Sequence, residues 1–118
     1  YMILGSVMHL NRIARVGTGI TATATPKFAV GTAAEATNDT LDSVQANIVP
    51  STNGAAMSAG VSAGAVGKST AAPIIDGISS APDFYLNLGF ADAGIGGGDS
   101  VDISGEGEIV FIKLGDDI

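Results

Sequence analysis

Hydrophobic positions recur with a period of two in the last third of the chain, which predicts β-strands. From position 84 to 90 every second residue is Phe or Leu, and the residues between are polar or small. Positions 101–104 alternate in the same way, and positions 109–112 are then apolar throughout. A strand that is apolar on both faces lies in the centre of a sheet or is covered by a neighbouring subunit.

The first half of the chain predicts further, less regular strands. Residues 1–4 are apolar and end at Gly5, and residues 7–16 form a long candidate strand. In that strand Met8 and Leu10 fall on one face and Ile13 on the other, which indicates a β-bulge or a strand that passes between two sheets. Shorter candidates are residues 27–30 and 44–49, the dipeptide at 53–54 predicts a tight hairpin turn, and residues 55–65 are a weak strand or a loop.

Many short strands and no convincing helix predict an all-β fold. The alanine-rich residues 55–66 contain glycines at 60 and 64, each of which costs a helix about 1 kcal/mol. We therefore expect a single-domain antiparallel β-sandwich, or jelly-roll-like fold, that spans residues 1–118. Because the segment after Tyr1 resembles the middle of a strand, we also expect a short N-terminal segment to precede it.

The charge balance restricts the partners. The chain has 12 Asp and Glu against 5 Lys and Arg, a net charge of −7, and its few basic residues are scattered. This pattern argues against nucleic acid as a partner, because such binders present a basic face. No apolar run reaches the roughly 20 residues of a membrane span, so no membrane partner is expected. With no cysteine in the chain, disulfides and thiolate metal sites are excluded and the redox compartment stays open.

Few residues are candidates for chemistry. His9, the only histidine, lies in a predicted strand, and no nucleophile motif accompanies it. The glycine-rich residues 94–98 lack the following helix that a phosphate site needs. Asp92, Asp99 and Asp102 supply oxygen atoms that suit calcium, but their spacing does not match an EF-hand, so weak calcium binding is left open. We expect no enzymatic activity and no cofactor.

The order of several motifs resembles that of a known group of proteins. Gly5-Ser6-Val7 precedes the long strand, and residues 28–33 read Phe-Ala-Val-Gly-Thr-Ala. Residues 83–88 read Asp-Phe-Tyr-Leu-Asn-Leu, and the motif at residues 107–116 follows a glycine-rich turn and overlaps the last predicted strand, residues 101–114. In this order the chain resembles the small Gly/Ala/Thr-rich virion structural proteins of tailed bacteriophages. The resemblance implies a β-sandwich on a phage particle, transfers no catalytic or ligand-binding residue, and does not distinguish head from tail.

Together these observations predict a capsid decoration protein on the outer capsid surface of the virion. Its partners would be the major capsid protein and further copies of itself, with a trimer favoured. The alternatives are a tail or fibre adhesion module, and a subunit of a bacterial or archaeal surface filament assembled by strand exchange. The predicted contact residues are the apolar ones near the two ends of the chain: Tyr1, Met2, Ile3, Leu4, Ile109, Phe111, Ile112 and Leu114.

Overall fold

Strands dominate the computed structural model, which describes residues 2–35, 40–69, 83–90 and 100–113. Within these ranges there is no α-helix, and the predicted all-β class is confirmed. The elements are β1 (Met2–Val16), β2 (Pro26–Gly31), a 3₁₀ helix (Ser43–Gln45), β3 (Val49–Asn53), β4 (Val61–Lys68), β5 (Tyr85–Phe90) and β6 (Ser100–Ile112).

The strands form two antiparallel sheets that pack on each other as a sandwich. The long sheet has the strand order β4-β1-β6 and the short sheet has the order β3-β2-β5. The sheets are joined at one side, where the Ser6 hydroxyl of β1 donates a 3.0 Å hydrogen bond to the Ile48 carbonyl that precedes β3. The long axis of the molecule measures 56 Å, against 25 and 18 Å for the other two.

The predicted irregularity in the long strand β1 is confirmed. The pairing of β1 with β6 shifts register between Leu10 and Arg12, and again between Ile3 and Gly5. Each shift adds one residue to β1 only, so β6 keeps an unbroken alternation of faces. The assignment of Ile13 to the face opposite Leu10 was wrong, because the bulge returns Ile13 to the inner face and both residues join the same core cluster.

Two clusters of buried side chains make up the core between the sheets. The larger surrounds Phe28 and includes Leu10, Ile13 and Phe90. The smaller contains Ile3, Val30, Ile48 and Val49. Strand β2 contributes to both clusters, because it is the central strand of the short sheet and nearly all of its residues are buried.

Three local expectations were wrong, each because a loop contact overrides the local pattern. Residues 44–49 are not a strand; a 3₁₀ helix occupies their start and β3 begins only at Val49. The 53–54 dipeptide does not close a hairpin, because the Gly54 amide bonds the Pro26 carbonyl at 2.7 Å and the chain continues toward the other sheet. Strand β5 is not half-buried, because Asn87 on its second face is buried as well.

Gly67 of β4 lies where the long sheet packs tightly against the short sheet. A Cβ atom there would lie 2.7 Å from Val49 Cγ1, 2.9 Å from Thr52 Oγ1 and 3.0 Å from Phe28 Cε2. We expect Gly67→Ala to lower the free energy of unfolding by about 2 kcal/mol, because the added methyl group forces the sheets apart. Urea titration measures the change. An unchanged midpoint would show that the sheets can separate without penalty.

Candidate interaction surface

One end of the long sheet exposes a group of large apolar side chains. Leu4 is 52% exposed, Val110 45%, Phe111 48% and Ile112 40%. They lie on two neighbouring strands, since Met2 pairs with Ile112 and Ile3 with Phe111. We call these four residues the apolar end. The sequence showed two separate apolar segments more than a hundred positions apart, and the β1–β6 pairing brings them together.

Leu4 is exposed because of the β-bulge nearest the start of β1. It falls between the paired residues Ile3 and Gly5 and is the extra residue at that register shift. Its neighbour Ile3 is 0% exposed and belongs to the smaller core cluster. The bulge therefore places two consecutive large apolar residues in opposite environments, one in the core and one at the surface.

The predicted contact residues divide into three groups. Leu4, Phe111 and Ile112 are exposed at the apolar end, and Met2 is half-buried beside them. Ile3 is a core residue and Ile109 packs against the same cluster, so both are removed from the contact set because their side chains are held within the sandwich. Tyr1 and Leu114 lie outside the described residues.

Val110 is an exposed residue that the predicted contact set omitted. The signal was present in the sequence, because apolar side chains at even positions of β6 share a face with Asp102, Glu106 and Glu108 rather than with the core. Alternation carried through to position 112 would have placed Val110 and Ile112 on the outer face.

An open groove of about 440 Å³ crosses the outer face of the long sheet. Its lining residues are Val7, His9, Val66, Glu106, Gly107 and Glu108. His9 pairs with Val66 on β4 and with Glu106 on β6, so the imidazole lies in the middle of this face. The lining includes no hydroxyl or thiol side chain that could act as a nucleophile beside His9. The groove is therefore lined by Val7, Val66 and the His9 imidazole on one side and by the acidic residues of β6 on the other.

The acidic side of the groove continues along β6. Asp102, Glu106 and Glu108 are all exposed on the outer face of this strand. In the sheet order β4-β1-β6, β6 is the terminal strand, and β1 is the only described strand that pairs with it. Its second backbone edge therefore faces away from every described strand of the sheet.

The described residues contain no group of three or more His, Cys, Asp or Glu side chains that could hold a metal ion. Of the three aspartates considered for calcium, only Asp102 is within the described residues, on the exposed face of β6. In the same part of the chain, no helix is long and apolar enough to cross a membrane.

No protein-family model, curated protein or solved structure matches the chain.

Proposed function

We propose that this protein is a non-catalytic structural subunit that binds a protein assembly through its apolar end, as a decoration protein on the outside of a tailed-phage capsid. The observation that carries the proposal is the group of four large apolar side chains on adjacent strands β1 and β6. Scattered exposed apolar residues are ordinary, but four large ones at one end of two paired strands are typical of a protein-binding surface.

The composition of the chain supports the same proposal. Only 14% of residues are charged, and glycine accounts for 17 of 118. A protein with few charged side chains can press its strands closely against a partner with little desolvation of charge. Many copies on one lattice each need only a modest affinity, because contacts that are linked through the lattice reinforce one another.

The direct test is binding to the lattice. We would mix the purified protein with emptied, expanded capsids of the phage that encodes it, and measure co-sedimentation and copy number. Saturation at a fixed ratio to the major capsid subunit is expected. Absence of binding, together with self-assembly into fibres or attachment to tails or cells, would contradict the proposal and favour the filament or the adhesion module.

The apolar end is tested by a double substitution. We expect Leu4→Ser combined with Ile112→Thr to weaken capsid binding at least tenfold, since exposed apolar side chains near the centre of a contact carry much of its affinity. Both residues are exposed, so the midpoint of urea unfolding should change little. The matched control is Val44→Thr in the 3₁₀ helix, where the side chain is 47% exposed. Equal losses from the control and the double variant would contradict an assignment to the apolar end.

A further inference from the structure

We propose that the outer edge of β6 over residues 102–108 binds an extended, basic segment of a partner protein, which adds to the long sheet as a further strand. This deepens the proposed function, because it gives the chemistry of the partner next to the apolar end. Two features carry it: the backbone edge of β6 and the row of acidic side chains beside that edge.

The backbone edge of β6 has the properties of a template for strand addition. The strand runs for 13 residues and contains no proline, and both register shifts of the β1–β6 pair add their extra residue to β1. Natural edge strands are usually short, bulged, or protected by proline or lysine, because an exposed edge pairs readily with another chain. Among the described residues β6 has none of these protections along its length except the acidic side chains.

The acidic side chains specify which strand the edge accepts. Asp102, Glu106 and Glu108 occupy one face of β6, and Glu106 and Glu108 also form the acidic side of the groove. A strand laid beside β6 presents its own side chains directly opposite these carboxylates, where an opposite charge stabilises the pair and a like charge destabilises it. Lysine or arginine at alternate positions of the added segment satisfies this requirement.

A second copy of the chain fits the acidic part of this edge poorly. Each copy carries a net charge of −7. Antiparallel pairing of two β6 strands over residues 102–108 would place carboxylates opposite or diagonal to carboxylates. The favoured occupant is therefore a different protein with an extended basic segment, bound through main-chain hydrogen bonds for affinity and through alternate side chains for specificity.

The test uses the whole protein and a synthetic probe. An octapeptide that alternates valine and lysine is titrated into isotopically labelled protein, and amide shifts and hydrogen exchange are followed by NMR. In the free protein we expect alternate amides of residues 102–108 to exchange rapidly, and addition of the peptide should protect them. The control peptide replaces each lysine with glutamate and should not bind. Slow exchange of all β6 amides in the free protein would overturn the proposal, because the edge would then already be paired within the chain.

Charge reversal tests whether the acidic side chains of β6 cause the binding of the lysine peptide. Glu106→Lys combined with Glu108→Lys should weaken binding of the lysine peptide at least tenfold, whereas Asp83→Lys, an exposed acid outside the long sheet, should not. Thermal melting verifies that each variant is folded. Equal binding by all three proteins would overturn the proposal. Because the peptide assay needs no capsid, and the Leu4→Ser, Ile112→Thr variant should retain peptide binding, failure here is distinguishable from failure of capsid decoration.

Discussion

Gly31→Ala is expected to lower the free energy of unfolding by about 3 kcal/mol, more than Gly67→Ala or Gly5→Ala. Gly31 ends β2, and the backbone of the 3₁₀ helix lies directly on it. A Cβ atom would collide with the Val44 carbonyl oxygen and with the carbonyl group of Gln45. Backbone atoms cannot rotate away as the end of a side chain can, so the helix has to move. That movement would also break the 2.8 Å hydrogen bond from the Thr32 amide to the Val44 carbonyl.

The measurement is urea unfolding of the wild type and two alanine variants. Gly5→Ala is the matched control, because a Cβ atom at Gly5 meets nothing within 4 Å. We expect the control to change the free energy of unfolding by less than about 1 kcal/mol. If the two variants were equally stable, the contact of the 3₁₀ helix with β2 would contribute nothing measurable to the free energy of unfolding.

Asn87→Leu is expected to lower the free energy of unfolding by a similar amount, about 3 kcal/mol, through lost hydrogen bonds rather than a collision. Asn87 lies in β5 and is 5% exposed. Its Oδ1 accepts from the Glu35 amide, and its Nδ2 donates to the carbonyls of Ala33 and Gln45, each at 2.9 Å. Leucine has the same branching of side-chain heavy atoms as asparagine but can make none of the three hydrogen bonds. The Glu35 amide and the carbonyls of Ala33 and Gln45 then lose Asn87 as a partner in a partly buried place.

Two further variants distinguish the stability lost with the hydrogen bonds from the stability lost through the change of side-chain shape. Asn87→Asp keeps the acceptor for the Glu35 amide but replaces the donor with an oxygen that faces two carbonyls, so it too should be destabilising. Asn47→Leu removes bonds to the Thr32 amide and hydroxyl, but Asn47 is only half-buried and water can replace them. We expect that control to lose less than about 1 kcal/mol. Full stability of Asn87→Asp would contradict a role for the donated bonds.

These two predictions also show where the sequence was insufficient. Alternation of apolar and polar residues predicted strands β5 and β6, and a break in that alternation indicated the bulge in β1. Both could be predicted because the two-residue period of a strand is a local property of the sequence. The burial of Asn87 depends on a loop that is more than forty positions away, and no local pattern indicates it. The 3₁₀ helix at residues 43–45 was missed for the same reason, since its position is set by contact with Gly31.

The candidate surface was predicted in part. The apolar segments at residues 1–4 and 109–112 were recognised as candidates, but only strand pairing shows that they are adjacent. From the sequence, residues 109–112 were predicted to lie in a central strand or in a strand covered by a neighbouring subunit. Among the described strands β6 lies at the end of its sheet rather than in its centre, and Val110, Phe111 and Ile112 are exposed. The sequence could not show that Ile3 is buried while Leu4 is exposed, because the position of a bulge depends on the register of both strands.

The bulge at Leu4 has a consequence for how this surface tolerates insertion and deletion. Leu4 is an extra residue in the ladder of β1 with β6, and the described register of β1 with β4 runs from Val7 to Ala14. Removal of Leu4 would join Ile3 to Gly5 and restore a regular ladder with β6, without displacing a core side chain. Deletion of Leu4 is therefore expected to remove the most exposed side chain of the apolar end while the described core of the sandwich stays the same.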